Sequence, residues 1–151
     1  MDNLVYSAAT EQDIPFINEV YHENLESLHG NSRCEAVWKE LLRNPDHTYY
    51  TVSAETPVAW FRVDIEEGGF WLGMLQVKPA HHHKGVGRFV LSAMEDMAKA
   101  QGYSRIGIHT TEDNIPARAL YLSAGYTVTE IGPCTTADGV DRVGYTFQKE
   151  L

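Results

Sequence analysis

The chain has 151 residues, of which 43% are hydrophobic, and its 12 basic and 21 acidic residues give a formal net charge of -9. This length is typical of one domain and supports a hydrophobic core without disulfides, so the composition excludes a disordered or fibrous chain. Because an acidic surface repels nucleic acid and anionic membranes, we expect neither as a partner and instead expect a neutral or cationic substrate.

The first third of the chain alternates between strand and helix patterns. A strand is predicted over residues 4–9, and Thr10 is typical of a helix cap because acidic residues follow it in the first turn. Apolar residues recur every three or four positions from Ile14 to Leu28 and predict one amphipathic helix. Ser32 and Glu35 have the spacing of a capping box, which predicts a second helix.

Three strand-like runs follow, over residues 48–54, 58–65 and 70–77. Glu66-Glu67-Gly68-Gly69 between the last two runs is typical of a hairpin turn. Pro79 then ends the third strand, because proline cannot donate a ladder hydrogen bond.

The rest of the chain predicts two more helices and three more strands. A helix is predicted from Gly85 to Ala100, a strand over residues 104–110, a short helix capped by Asn114, and final strands over residues 126–131 and 143–147. The order β-α-α-β-β-β-α-β-α-β-β is that of a mixed α/β fold. No repeat, linker or low-complexity segment occurs, so we predict a single domain over residues 1–151.

The segment that leads into the helix at Gly85 carries the clearest chemical signal. The glycines of Gly85-Val86-Gly87 let the backbone approach a ligand closely, and the positive end of a helix dipole lies behind them. Asp and Glu are absent from Gly68 to Met94, whereas lysine, arginine and three consecutive histidines occur there. In so acidic a chain this favours a phosphate-bearing ligand, although the pattern is neither a Walker motif nor a dinucleotide fingerprint.

Two segments at a fitting separation resemble motifs of the GNAT superfamily of N-acetyltransferases. Residues 73–87, GMLQVKPAHHHKGVG, are similar to motif A, in which a strand, a proline and Gln/Arg-x-x-Gly-x-Gly/Ala lead into a helix. Residues 114–126, NIPARALYLSAGY, resemble motif B, Asn-x-x-Ala-x-x-Leu-Tyr-x-x-x-Gly-Phe/Tyr. The resemblance covers most of the chain, although the first 50 residues match in element type alone.

The resemblance implies a central, mostly antiparallel sheet of about seven strands flanked by about four helices. It also implies acetyl-CoA as cosubstrate, with the backbones of Leu75 and Val77 pairing with the pantetheine arm. Asn114 would contact the pantetheine amides, and Tyr121 would lie near the thioester sulfur. Consecutive backbone N–H groups, beginning at His82 or at His83, would hold the pyrophosphate: His82, His83, Lys84, Gly85, Val86, Gly87 and Arg88.

We therefore predict an acetyl-CoA-dependent N-acetyltransferase in which a primary amine of a small molecule or peptide attacks the thioester directly. Tyr121 is the predicted general acid for the departing thiolate, because a phenol stays protonated at neutral pH. Its alternative role is that of a buried aromatic residue in the helix core. Two other functions stay open: a CoA-binding sensor or interaction module without turnover, and a transferase that uses a longer acyl group or an oxygen nucleophile.

The general base and the acceptor site are not determined by the sequence. Gly73 lies about where some family members carry a glutamate, and the strand over residues 70–77 has no carboxylate. The candidate bases are Asp64, Glu66, His22 and His109. The acceptor would contact the first two helices and the loop over residues 132–141. Five aromatic residues either line its pocket or belong to the core: Tyr21, Trp38, Tyr49, Trp60 and Trp71.

One departure from motif A concerns His82, which stands where the family has glutamine or arginine. An imidazole can donate a hydrogen bond but lacks a permanent charge, so we expect protonation of His82 to tighten CoA binding from about pH 8 to about pH 6. The alternative is that the three histidines only form a polar loop. A metal site there is disfavoured, because consecutive side chains point in different directions.

The termini and the cysteines favour a cytoplasmic protein. Residues 1–5 have neither a basic nor an apolar region, so we expect no signal peptide, and no apolar run approaches the ~20 residues that span a membrane. Cys34 and Cys134 lie far apart without a CxxC motif, which favours two free thiols. Edge strands near the C-terminus would allow a homodimer.

Overall fold

The computed structural model describes residues 3–151. The strands are β1 (Val5–Ala8), β2 (His47–Ser53), β3 (Pro57–Glu66), β4 (Gly69–Val77), β5 (Arg105–Thr111), β6 (Thr127–Thr135) and β7 (Asp141–Glu150). The α-helices are α1 (Ile14–Glu23), α2 (Leu25–Leu28), α3 (Glu35–Leu42), α4 (Val86–Ala100) and α5 (Ile115–Ser123). Short 3-10 turns, Glu11–Asp13 and Pro79–His81, precede α1 and α4.

The strands form one sheet in the order β1-β2-β3-β4-β5-β7-β6, which confirms the mixed α/β fold. All neighbouring strands are antiparallel except β4 and β5. These two run parallel and pair only where Phe70–Leu72 faces Ile106–Ile108. Since β4 continues to Val77 and β5 to Thr111, the strands diverge beyond this point and leave a V-shaped opening in the sheet.

Each face of the sheet carries its own hydrophobic cluster. The first cluster joins α4 and α5 to the central strands and includes Val90, Met94, Tyr121 and Phe147. The second lies between α1, α3 and strands β2 and β3. Four of the five aromatic residues considered for an acceptor pocket belong to this second cluster and are at most 3% exposed, so the core interpretation is confirmed for Tyr21, Trp38, Tyr49 and Trp60.

Local signals in the sequence place several turns and caps correctly. The β3–β4 hairpin turns at Glu67 and Gly68, whose φ angles of 51° and 75° fit the left-handed conformation that a tight hairpin requires. The Thr10 N–H donates to the Asp13 carboxylate at 2.8 Å, so the predicted cap at Thr10 is confirmed. Asn114 caps α5 by accepting a hydrogen bond from the Ala117 N–H at 3.3 Å.

The prediction of one helix from Ile14 to Leu28 is wrong. The helix breaks at Asn24, whose side-chain amide donates to the Gln76 side chain at 3.1 Å and to the Val77 carbonyl at 3.0 Å. These bonds to β4 hold the break between α1 and α2, because they direct the Asn24 side chain toward the sheet. Local periodicity carries no information about such a long-range contact.

Two further boundaries differ from the predictions. The capping box at Ser32 and Glu35 is absent: Cys34 precedes α3 without a side-chain cap, and the Ser32 hydroxyl lies 3.4 Å from His22 Nε2 instead. Strands β6 and β7 are longer than predicted, so the loop between them covers residues 136–140 rather than 132–141. Cys34 and Cys134 are free thiols, as predicted. Between residues 3 and 151, no helix is long and apolar enough to cross a membrane.

Candidate active site

A cavity of about 1470 Å³ fills the opening between β4 and β5. Its walls come from both strands, the α1–α2 junction, the first turn of α4, helix α5, and strands β6 and β7. This volume exceeds the roughly 300–1,000 Å³ of a pocket for a drug-sized ligand, so the cavity suits a longer molecule. Of the residues predicted to bind CoA, all but Lys84 line it, and so does Tyr121.

The glycine motif forms one end of this cavity. Gly85 has a φ of 84°, a left-handed conformation that turns the chain into α4 and that residues with a side chain rarely adopt. The first N–H groups of a helix have no intrahelical partner, so those of Val86, Gly87 and Arg88 are available to an anion. Gly87 also lets α4 pack closely on α5, because a Cβ there would lie 2.7 Å from Leu120 Cδ2. The geometry fits a diphosphate.

His82 contributes to this end differently from the expectation. Its backbone N–H already donates to the Pro79 carbonyl at 3.2 Å, unlike the amides in the first turn of α4. His82 Nε2 lies 2.8 Å from the Val77 carbonyl, and because a carbonyl only accepts, Nε2 is the donor. A tighter binding of CoA at lower pH stays a prediction.

The free edge of β4 offers backbone groups to an extended ligand. The Lys78 N–H donates to Val58 on β3 at 2.9 Å, so by alternation the backbone groups of Leu75 and Val77 face the opening. The Val77 carbonyl, however, already accepts hydrogen bonds from Asn24 and His82. Its N–H and the backbone of Leu75 are therefore the groups that can pair with a pantetheine arm.

Tyr121 lies on the α5 side of the opening. The side chain is 6% exposed, packs against Phe147 with ring centroids 5.4 Å apart, and lines the cavity. Among residues 3–151 none accepts a hydrogen bond from its hydroxyl. Burial raises the pKa of Tyr121 to about 12, which keeps the phenol protonated and able to donate.

Of the four candidate bases, only His109 is among the residues that line the cavity. Asp64 is 5% exposed and is held by two hydrogen bonds from Arg62, at 2.7 and 2.8 Å. Both ring nitrogens of His22 are engaged, Nδ1 with the Asn18 carbonyl at 2.8 Å and Nε2 with the Arg33 N–H at 3.2 Å. Glu66 lies at the far end of β3.

The absence of a side chain at Gly73 has a structural explanation. A Cβ at Gly73 would overlap the Asp64 carboxylate and lie 2.5 Å from Arg62 Nε, so the space of a strand carboxylate is already filled by this ion pair from β3. The sequence alone could not reveal this, because the pairing depends on the register between β3 and β4.

A polar cluster that the sequence analysis missed borders the cavity through His29 and Asp113. His29 Nε2 lies 2.8 Å from the Asp113 carboxylate, and Arg142 reaches both Asp113 at 3.5 Å and Asp138 at 3.0 Å. A hydrogen bond from the Thr111 hydroxyl lowers the pKa of Asp113, and the nearby His29 and Arg142 act in the same direction. Only the sequence position of Asp113 next to Asn114 could have pointed to this cluster.

The family model of the acetyltransferase (GNAT) family matches residues 14–126. A mycothiol acetyltransferase from Jonesia denitrificans is 31% identical over 101 residues, which cover 61% of this chain and 31% of that protein. The match thus spans about a third of that relative's length.

Solved structures of low sequence identity share the fold. The acetyltransferase that modifies the N-terminal serine of a 50S ribosomal subunit protein in Salmonella typhimurium has a TM-score of 0.86 at 14% identity and covers 100% of this chain and 96% of its own. A Salmonella typhimurium protein solved with acetyl-CoA as its cofactor has a TM-score of 0.79 at 19% identity, over 99% and 95% of the two chains. A spermidine N-acetyltransferase variant from Vibrio cholerae scores 0.81 at 14% identity, over 99% and 95%. Because the family model covers most of the chain, the protein belongs to the acetyltransferase (GNAT) family, whose enzymes use acetyl-CoA.

Proposed function

We propose that the protein is an N-acetyltransferase that moves the acetyl group of acetyl-CoA to a primary amine by direct attack. The observation that carries this proposal is the cavity itself, which joins an anion-binding helix terminus at Gly85 to a buried, protonated Tyr121 at the opening of the sheet. The chain supplies a donor for the leaving thiolate and backbone groups that hold CoA in line with it.

The acceptor is a cationic amine of a small molecule or peptide. The cavity wall carries His81, His83 and Arg88 at or near the glycine motif, and it also carries acidic side chains. Of these, Glu26 and Glu130 are exposed and have no ion-pair partner within residues 3–151. A positive acceptor would be attracted to these carboxylates, whereas the polyanionic cosubstrate would be held at the glycine motif.

The remaining expectations stay predictions. They are a single domain over residues 1–151, a cytoplasmic location and a homodimer. The alternatives of a CoA-binding module without turnover and of an oxygen nucleophile are separated from the proposal by one assay, and a longer acyl group stays an open alternative.

That assay measures CoA release with a thiol reagent while acetyl-CoA is mixed with spermidine, a peptide with an N-terminal alanine, or an aminoglycoside. Release that requires one of these amines, with the acetylated amine found by mass spectrometry, supports the proposal. Binding of acetyl-CoA without release in the presence of any amine would support the non-catalytic module instead. Replacing the amine by an alcohol of the same size tests the oxygen nucleophile.

Gly85→Val is expected to weaken acetyl-CoA binding by roughly 10- to 100-fold, the equivalent of one or two charge-assisted hydrogen bonds. A β-branched residue is strained at the φ of 84° that Gly85 adopts, so the backbone would shift and the N–H groups at the start of α4 would no longer point at the ligand. Isothermal titration calorimetry with acetyl-CoA measures the change.

Gly102→Val is the matched control at the other end of α4. Gly102 has a φ of 86°, and like Gly85 it has open space where a Cβ would lie, so both substitutions carry the same backbone strain of about 1–2 kcal/mol. Only the substitution at Gly85 should change affinity for acetyl-CoA. An equal loss of affinity in both variants would show that general destabilisation, and not the glycine motif, is responsible.

A further inference from the structure

We propose that His109 is the general base that takes the proton of the acceptor amine, an inference that rests on the proposed N-acetyltransferase function. His109 lies on β5 one residue beyond the stretch that pairs with β4, and it lines the cavity. It is therefore placed at the opening where the acyl group and the amine must meet.

His109 and Tyr121 approach this opening from opposite faces of the sheet. Side chains alternate along a strand, and Ile106 and Ile108 on β5 are buried in the first cluster beside α4 and α5. His109 therefore projects from the other face, whereas Tyr121 belongs to the first cluster. Such an arrangement separates the group that accepts a proton from the amine and the group that donates one to the thiolate.

The imidazole ring of His109 is held in a fixed orientation. It stacks on the Trp71 indole with centroids 4.6 Å apart and an angle of 10° between the planes. The indole in turn lies over Gly107, where a Cβ would overlap it. His109 Nδ1 lies 3.0 Å from the Thr146 hydroxyl, and Nε2 has no hydrogen-bond partner within residues 3–151. With the proton on Nδ1, Nε2 presents a free lone pair to the cavity.

The charged groups around His109 offer one rival base. Glu130, the strand partner of Thr146 on β6, lines the cavity and is exposed. Glu130 lies on β6, which β7 separates from β5 in the sheet, whereas His109 directly follows the stretch of β5 that pairs with β4. The other charged groups on β5 and β7 are engaged: Arg105 with Glu150, Arg142 with Asp113 and Asp138, Lys149 with Glu95, and Asp141 through a hydrogen bond from the Thr135 hydroxyl at 2.9 Å. On β3, Arg62 is paired with Asp64.

The proposed proton path balances. The acceptor arrives as an ammonium ion, and His109 Nε2 takes one proton from it and passes that proton to water. The freed lone pair forms the C–N bond at the thioester carbon while the C–S bond breaks. The nitrogen then loses its second proton to water, and Tyr121 gives a proton to the sulfur and regains one from water. The net products are the acetylated amine, the CoA thiol and one proton.

The test compares His109→Gln with wild type across pH, with the probe amine that gives the fastest CoA release among spermidine, the alanyl peptide and the aminoglycoside. Glutamine can still hydrogen-bond to Thr146 but cannot take a proton, so kcat/KM should fall by roughly 100-fold near pH 7. Toward about pH 9.5 the defect should narrow to a few-fold, because more of the amine is then neutral without help. A structural role would lower activity equally at all pH values.

Two variants serve as controls. His47→Gln removes a histidine that lies outside the cavity, 3.8 Å from Asp64 and from Glu66, and should retain kcat/KM within about twofold at every pH. Glu130→Gln tests the rival base: the loss of its charge should raise KM for the cationic amine, whereas kcat should keep the wild-type pH profile. A pH-dependent loss of kcat in Glu130→Gln would overturn the assignment of His109. So would the absence of a pH-dependent loss of kcat/KM in a His109→Gln protein that folds and still binds acetyl-CoA. No turnover by wild type with any amine would overturn the proposed function first, and the base with it.

Discussion

Tyr121→Phe is expected to lower kcat by roughly 100-fold or more, the usual contribution of a general acid, while the affinity for acetyl-CoA stays within about twofold of wild type. The substitution removes one hydroxyl from a ring whose packing against Phe147 and the rest of the first cluster is kept. Without that hydroxyl the thiolate would have to leave without a proton donor on the α5 side. Steady-state CoA release and calorimetry with acetyl-CoA measure the two quantities separately.

Tyr126→Phe is the matched control. Tyr126 is 2% exposed, lies 6.3 Å from Tyr121 between ring centroids, and is absent from the cavity wall. Its hydroxyl is buried without a hydrogen-bond partner, so its removal leaves no other group unpaired. This variant should retain wild-type kcat. Equal losses of kcat in both tyrosine variants would remove Tyr121 from the mechanism.

The pH dependence of kcat follows from the direction in which burial shifts the pKa of Tyr121. Because desolvation raises the pKa of Tyr121 to about 12, the protonated form, which is the donor, persists well above the ordinary pKa of a phenol. We expect no loss of kcat from deprotonation of this residue between about pH 7 and about pH 10. A fall of kcat centred near pH ~10 that disappears in Tyr121→Phe would contradict the role of burial.

Signals that are local in sequence predicted the part of the cavity that we propose for CoA. The turn at Gly85, the cap at Asn114 and the tyrosine of α5 each depend on a few adjacent residues whose conformations follow from residue type. The same holds for the hairpin at Glu67 and Gly68. These elements also determine where the two motifs meet, because β4 leads into α4 and β5 leads into α5.

The part of the cavity that we propose for the acceptor could not be predicted in this way, because it depends on contacts between residues far apart in the chain. Asn24 breaks the first helix through bonds to β4, and His29 reaches Asp113 across 84 positions. The choice among four candidate bases likewise required knowing that Arg62 holds Asp64 while His109 stacks on Trp71. Residue type alone gave no ranking of these side chains.

Trp38→Ala is expected to lower the free energy of unfolding by about 3–5 kcal/mol, the usual cost of deleting a large buried aromatic residue. Trp38 is 0% exposed and links α3 to the sheet through edge-to-face contacts with Tyr21, Tyr49 and Trp60. Its indole N–H also donates to the Asn18 side chain at 2.7 Å, so the substitution leaves that oxygen without its donor. Urea unfolding followed by circular dichroism measures the change.

The stability lost in Trp38→Ala arises in the second cluster and not in the first, so the variant separates the roles of the two clusters. Trp38 belongs to the second cluster, whereas the helix that carries Gly85 packs on the first, so the folded fraction of Trp38→Ala should still bind acetyl-CoA with wild-type affinity. Its KM for the amine should rise, because α1 and the α1–α2 junction at Asn24 are supported by the second cluster and border the cavity. Val37→Ala on the same helix, at a position 41% exposed, should change neither stability nor KM. A loss of acetyl-CoA affinity in folded Trp38→Ala would mean that the two clusters act as one unit, and the division of the cavity into a cofactor side and an acceptor side would then be wrong.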